Sequence, residues 1–154
     1  VDLGLAGADH EVVVGRVVGD VAVAVGLLEA ADAVLDEINE RAVEAAHKLL
    51  QSGKAEQAGQ SLTVTLAGGN LPPAVMARAL YLRGMASFYA WTAASFRDSR
   101  EYCYQALQLA PGFASAYGMV VYCDALMIGR GEKFDRDAVG ILDEALTAKA
   151  AGDV

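Results

Sequence analysis

Residues 102–117 read YCYQALQLAPGFASAY and contain the signals that decide the fold. Before Pro111 the apolar residues recur at steps of three and four, which is the spacing of one face of a helix. The proline and the glycine after it end that helix, because proline cannot continue a helix and glycine favours turns. A second apolar segment then starts at Phe113. The stretch therefore predicts two successive helices joined by a short turn.

A frame of small and large residues recurs on both sides of this stretch. The frame places a small residue, a large one four positions later, a small one three positions further and then a residue that is always leucine. Its register repeats after 41 and then 39 residues, which is typical of stacked helical repeats. The three copies are Ala58/Leu62/Thr65/Leu66, Ser99/Cys103/Ala106/Leu107 and Ala138/Leu142/Ala145/Leu146.

Helical periodicity extends over most of the remaining sequence. Capping signals set the expected boundaries: Gly53 suits a helix C-terminus, Pro73 suits a helix start, and residues 98–101 form a capping box. The expected helices are 30–52, 55–66, 74–91, 98–110, 113–128 and 135–150. The predicted fold class is all-α, a right-handed superhelix of stacked antiparallel helical hairpins.

The N-terminal residues differ in composition from this repeat region. Residues 1–29 are expected to form an apolar helical segment, and residues 30–154 about three hairpins, the two being one continuous domain. A strand over residues 21–25 is the alternative, since valine suits strands. Arg16 and Asp20 interrupt the apolar run and argue against a membrane span. The sequence offers little to bury the valines of this segment. They therefore predict self-association into a homo-oligomer, or an upstream domain that covers them.

Composition and charge exclude several classes of function. The chain has 154 residues with 12 Lys and Arg against 20 Asp and Glu, a net charge of −8, which disfavours nucleic-acid binding. Cys103 and Cys123 lack zinc-site spacing and are expected to be buried apolar residues. His10 and His47 have no partner pattern for a metal. We therefore expect no catalytic residues, metal or cofactor, and not an enzyme.

Residues 102–117 resemble the tetratricopeptide repeat (TPR) family. They are similar to the end of that family's second helix, to the proline-containing turn that follows it and to the start of the next repeat's first helix. Arg83 and Gly84 stand where the family usually has Leu-Gly. The resemblance covers roughly residues 41–148. The family period is about 34 residues, whereas HEAT and armadillo repeats have about 40–47, so another helical repeat is the alternative.

The resemblance implies a concave groove lined by the first helix of each hairpin. A peptide or a helix of a partner protein would bind there, apolar and with one acidic group reaching Arg78. The groove lacks the lysines and asparagines of a carboxylate clamp. The implied groove residues form a partly exposed patch: His47, Arg78, Tyr81, Met85, Phe88, Tyr89, Met119 and Tyr122.

Two other functions remain open at this point. One is a ligand-sensing or regulatory domain of a larger bacterial-type regulator, and the other is an accessory subunit of a transport or envelope assembly. The expected location is the cytoplasm, or the periplasm if an upstream export signal has been removed.

Overall fold

The computed structural model describes residues 6–69 and 71–131, with side chains from residue 15 onward. These residues form α-helices and connecting turns, without a strand among them, so the all-α prediction is confirmed. The sixth expected helix, at 135–150, and the third copy of the frame lie outside the described residues. The helices are α1 (Ala6–Gln51), α2 (Ala55–Ala67), α3 (Pro73–Phe88), α4 (Ala93–Leu109) and α5 (Ala114–Ile128).

The chain divides into two compact units, Val1–Glu37 and Ile38–Val154. The described part of the first unit is helical, and residues 21–25 are helix rather than strand. The boundary expected after residue 29 falls inside α1. In this unit all side chains from residue 15 to residue 35 are exposed.

The second unit buries its apolar residues in successive layers. In the first layer, Val43 and Ala46 of α1 pack with Leu62 of α2 and Leu82 of α3. The second layer joins α3, α4 and α5 around Cys103, Ala106 and Val120. Leu62 and Cys103 are both fully buried, as the repeated frame requires. Thus α3 packs against α2 and α4, and α4 packs against α3 and α5.

Gly84 allows α3 and α4 to approach closely. A Cβ atom at this position would lie 3.0 Å from the carbonyl oxygen of Ser99 and 3.1 Å from Sγ of Cys103. Distances this short are tighter than ordinary van der Waals contact, and one of the two neighbours is backbone, which cannot rotate away. A side chain at residue 84 would therefore push the two helices apart.

The start of α4 differs from the sequence prediction. The expected capping box at Asp98 is wrong, because α3 ends at Phe88 and α4 begins at Ala93. Thr92 is the N-cap: its Oγ1 accepts from the Ser95 amide at 3.0 Å, and its own amide donates to Oγ of Ser95 at 2.9 Å. These two reciprocal bonds satisfy donors that the first turn would otherwise leave unpaired.

Four aromatic rings, contributed by α3, the turn after it, α4 and α5, pack together. Phe88 lies with its centroid 5.2 Å from those of Trp91 and Phe96 and 5.4 Å from that of Tyr122. Trp91 has a φ of +57°, a left-handed conformation that non-glycine residues rarely adopt. Its edge-on contacts with Phe88 and Phe96 help to offset the cost of that conformation.

A buried ion pair joins α4 to α5. Nε of Arg100 lies 2.6 Å from Oδ1 of Asp124, whose side chain is 1% exposed. The guanidinium also lies over the ring of Tyr104, 4.9 Å from its centroid. Because an unpaired buried charge is costly, removing either partner would destabilise the contact between α4 and α5.

The Gly84 contact predicts opposite effects for two Gly→Ala substitutions. Gly84→Ala should lower the free energy of unfolding by about 1–3 kcal/mol, because the new methyl group is overpacked. Gly118 in α5 is the matched control, since a Cβ there meets nothing within 4 Å. Gly118→Ala should raise the stability by up to about 1 kcal/mol, because alanine is the better helix former. Urea unfolding measures both, and equal effects would contradict the close approach.

The Thr92 cap predicts a second pair of effects. Thr92→Ala should destabilise the protein by about 1 kcal/mol, because the Ser95 amide loses its acceptor. Asp98→Ala should change stability by less than about 0.5 kcal/mol, since Asp98 is an exposed residue beyond the first turn. Thermal unfolding of the two variants tests the assignment; a larger loss for Asp98→Ala would restore the capping box expected from the sequence.

Candidate functional site

A cleft of about 590 Å³ lies between the C-terminal part of α1, the start of α3 and the turn before α5. All of it belongs to the second unit. Its walls are mainly apolar, with one acidic residue and one basic residue at the edge. The lining residues are Glu40, Val43, Ala74, Val75, Ala77, Arg78, Tyr81, Ala110 and Phe113.

Two aromatic rings line one side of the cleft. The centroids of Tyr81 and Phe113 lie 5.0 Å apart, with their planes tilted by 54°. Tyr81 is half-buried and packs against both the first and the second core layers. Burial raises the pKa of its phenol, so the ring is neutral at physiological pH. The cleft thus offers a rigid aromatic surface fixed by the core.

Arg78 connects α3 to α1 at the cleft edge. Its Nη2 donates to Oε2 of Glu44 at 2.7 Å and lies 3.2 Å from Nδ1 of His47. The other ring nitrogen of His47 lies 3.3 Å from Nε2 of Gln51. The Arg78 hydrogen bond lowers the pKa of the Glu44 carboxyl, so this side chain is ionised at neutral pH. Because a guanidinium carries five N–H donors, the pair does not exhaust Arg78.

The eight residues predicted for the groove fall into three groups. Arg78 and Tyr81 line the cleft, and His47 lies next to Arg78. Tyr89 and Tyr122 are 56% and 50% exposed, and both rings contact Phe88 at the other end of α3.

Three predicted groove residues take part in core packing. Met85 and Met119 are half-buried and pack against the core layers. Phe88, expected to be partly exposed, is instead buried at 9% exposure. Its ring is enclosed by Trp91 and Phe96, which the tight α3–α4 turn brings onto it.

Sequence reasoning missed Ala74, Val75, Ala77, Ala110 and Phe113 as cleft residues. Phe113 follows Pro111 and Gly112, and that turn directs its ring toward Tyr81. The proline turn could have indicated that Phe113 lies at the cleft, because a short turn places the residue after it beside the preceding hairpin. No sequence signal distinguishes Ala74 and Val75 from other apolar residues at a helix start.

A second, more polar hollow of about 510 Å³ lies between α2 and the α3–α4 turn. Arg83 lines this hollow and forms two hydrogen bonds in it. Its Nε donates to Oγ1 of Thr63 at 3.0 Å, and its Nη1 donates to Oγ of Ser87 at 2.7 Å. The guanidinium also lies 4.9 Å from the centroid of Tyr102. Arg83 therefore links α2, α3 and α4.

The two cysteines are free thiols in the core. Cys103 and Cys123 are both fully buried, and burial raises the pKa of each thiol. Neither forms a thiolate at neutral pH, so neither suits nucleophilic chemistry. Within residues 6–69 and 71–131, His, Cys, Asp and Glu do not gather into a group of three that could hold a metal. In the same ranges, no helix combines the length and the apolar character needed to cross a bilayer.

No protein-family model, curated protein or solved structure matches this chain. The geometry of the second unit is therefore the basis for a functional proposal.

The Arg78–Glu44 contact predicts a pH effect. In Arg78→Gln, the pKa of Glu44 should rise toward the ordinary glutamate value, as followed by NMR of the side-chain carboxyl. Because the folded-state pKa is lowered, the pair stabilises the fold above the unfolded-state pKa, and that contribution is lost as the pH falls through the lowered value. Lys54→Gln, at an exposed lysine outside the cleft, should leave Glu44 unchanged. Identical Glu44 titrations in the parent and Arg78→Gln would refute the contact.

Proposed function

We propose that the second unit is a TPR-like stack of helical hairpins and that its cleft binds an apolar peptide or helix of a partner protein. In this proposal the C-terminal part of α1, α3 and α5 are the first helices of successive hairpins, and α2 and α4 are second helices. Gly84 supports this arrangement, because it stands at the family's glycine position and packs against Ser99 and Cys103 of the second helix. The proline turn before α5 stands where the family places its own.

The observation that carries the proposal is the cleft itself. Its aromatic side, formed by Tyr81 and Phe113, gives a large contact area on rings that the core already holds in place. Binding to rigid rings loses little conformational entropy, so such rings are favourable interface residues. An apolar side chain of the partner would occupy the space between Val75 and these rings.

Charges at the edge limit the partner to one acidic group at this point. Arg78 retains donors for a carboxylate after pairing with Glu44. Glu40 and Glu44 stand close by and would repel a second carboxylate. The preferred ligand is therefore an apolar segment with a single acidic residue.

The exposed tyrosines extend this surface along α3. Arg78 and Tyr89 are 11 positions apart, which is about 16 Å along a helix axis. An extended peptide covers that distance with about five residues. A peptide seated in the cleft can therefore also contact Tyr89 and Tyr122, both of which are exposed.

A small-molecule ligand is the second candidate, and it corresponds to a sensing or regulatory domain. The volume of about 590 Å³ favours it, because small-molecule sites commonly measure about 300–1,000 Å³. Such a ligand would lie within the cleft and would not reach Tyr122.

Selection from a random peptide library displayed on phage tests the proposal. Apolar peptides with one acidic residue should be enriched, and Ala74→Glu should weaken their binding about 10- to 100-fold by placing a carboxylate in the cleft. Ala94→Glu is the matched control: both alanines are exposed second residues of a helix, and both changes put an acid where the helix dipole favours it. Equal binding to both variants would show that the cleft is not the site.

Tyr122→Ala separates the two candidates in the same assay. A peptide that follows α3 should bind this variant several-fold more weakly, whereas a small molecule confined to the cleft should bind it unchanged. Fluorescence anisotropy with a labelled selected peptide measures the first, and calorimetry with the small molecule measures the second.

A further inference from the structure

The first unit presents an apolar helix with its side chains exposed. Between residues 15 and 35, Leu27, Leu28 and Val23 are 67%, 66% and 64% exposed, and the other large apolar side chains are between 46% and 62% exposed. The segment is also rich in valine and glycine, which are poor helix formers. A helix of such residues depends on packing against another surface rather than on its own propensity. Its partner must therefore be a surface that complements this helix.

The spacing of the apolar residues indicates what kind of surface that is. Apolar residues recur at alternating steps of three and four, an average period of 3.5, which is the heptad repeat of a coiled coil. The same steps run back to Val14 and on to Ile38. We call the six central positions the seam: Val17, Val21, Ala24, Leu28, Ala31 and Leu35.

Charged residues in this segment avoid the seam. Arg16, Glu29, Asp36 and Glu37 lie at the heptad positions that face away from a partner helix, while two aspartates lie at its borders. Such a distribution is typical of a helix that buries one stripe against another helix of the same period. It is not the pattern of a helix that is solvated on every side.

We propose that this segment of α1 forms an antiparallel coiled coil with the same segment of a second copy of the chain. In this orientation each seam residue of one copy faces a seam residue of the other copy. Val17 then faces the partner's Leu35, Val21 faces the partner's Ala31, and Ala24 faces the partner's Leu28. Layers that pair a larger with a smaller residue have nearly constant thickness, which lets the helices stay at one distance.

A parallel pair would be less favourable for two reasons. Ala24 and Ala31 would each face their own copies and make layers of two small side chains. Between them Leu28 would face its own copy and make a layer of two large side chains, so the alanine layers would contain gaps. The acidic ends of the two segments, with Glu29, Asp36 and Glu37, would also lie side by side. In the antiparallel pair the acidic end of one segment lies beside Arg16 of the other, so the charges are complementary.

The borders of the seam fit the same orientation. Near the centre, Val25 and Leu27 each lie beside their own copies, so these exposed residues are covered as well. Asp20 and Asp32 lie opposite the partner's Val34 and the partner's Val18, so no like charges meet. The antiparallel pair therefore buries apolar residues on both borders without bringing two carboxylates together.

Two valine substitutions in the full chain test the proposal by sedimentation equilibrium. Val21→Asp places a carboxylate in the seam and should weaken the dimer at least about 100-fold. Val23→Asp is the matched control, because Val23 is similarly exposed but lies on the outer face, and its dimer should be nearly as tight as the parent's. A parent that is monomeric at every concentration, or a Val21→Asp variant that still dimerises like the parent, would overturn the proposal.

Cross-linking tests the orientation without a disruptive change. A mixture of Val17→Cys and Leu35→Cys chains should form a disulfide-linked heterodimer under mild oxidation. Leu35→Cys alone should not cross-link, because its two copies lie about 27 Å apart along the antiparallel pair. The native Cys103 and Cys123 are buried and do not interfere. Efficient cross-linking of Leu35→Cys alone would show a parallel pair and refute the antiparallel one.

Discussion

The distance between α3 and α4 is set where Gly84 faces the carbonyl oxygen of Ser99. With no side chain at residue 84, Cys103 and Ala106 reach α3 and form the second core layer. Those contacts hold α3 with Tyr81 partly in the core and Arg78 toward α1. The cleft therefore depends on a position that contributes no side-chain atom to it.

The sequence predicted the helices well wherever a local signal and the apolar spacing agreed. Gly53, Pro73 and Pro111 mark boundaries that the structure reproduces within a residue or two, because their backbone restrictions act whatever the rest of the chain does. The start of α4 was misplaced because two capping signals compete there. Asp98 matched the usual pattern, but the N-cap is Thr92, six residues earlier, paired with Ser95.

The sequence predicted some residues of the candidate site but not how all of them are placed. The helical repeat frame places Arg78 and Tyr81 on one face of α3, and the structure brings both to the cleft. Phe88 belongs to the same face by spacing, yet it is buried, because the left-handed Trp91 folds the turn back over it. That conformation is a product of tertiary packing, which periodicity in one helix cannot indicate. The partnership of Arg78 with Glu44 likewise depends on how two distant helices meet.

Trp91 is the only tryptophan in the chain, and it lies edge-on to Phe88 and Phe96. Its indole is about half exposed, so its emission is sensitive both to loss of the ring contacts and to molecules that cover it. The residue belongs to the second unit and is consequently an intrinsic fluorophore of that unit. Unfolding of the two units can therefore be distinguished without labels, by comparing indole emission with the helical signal of the whole chain.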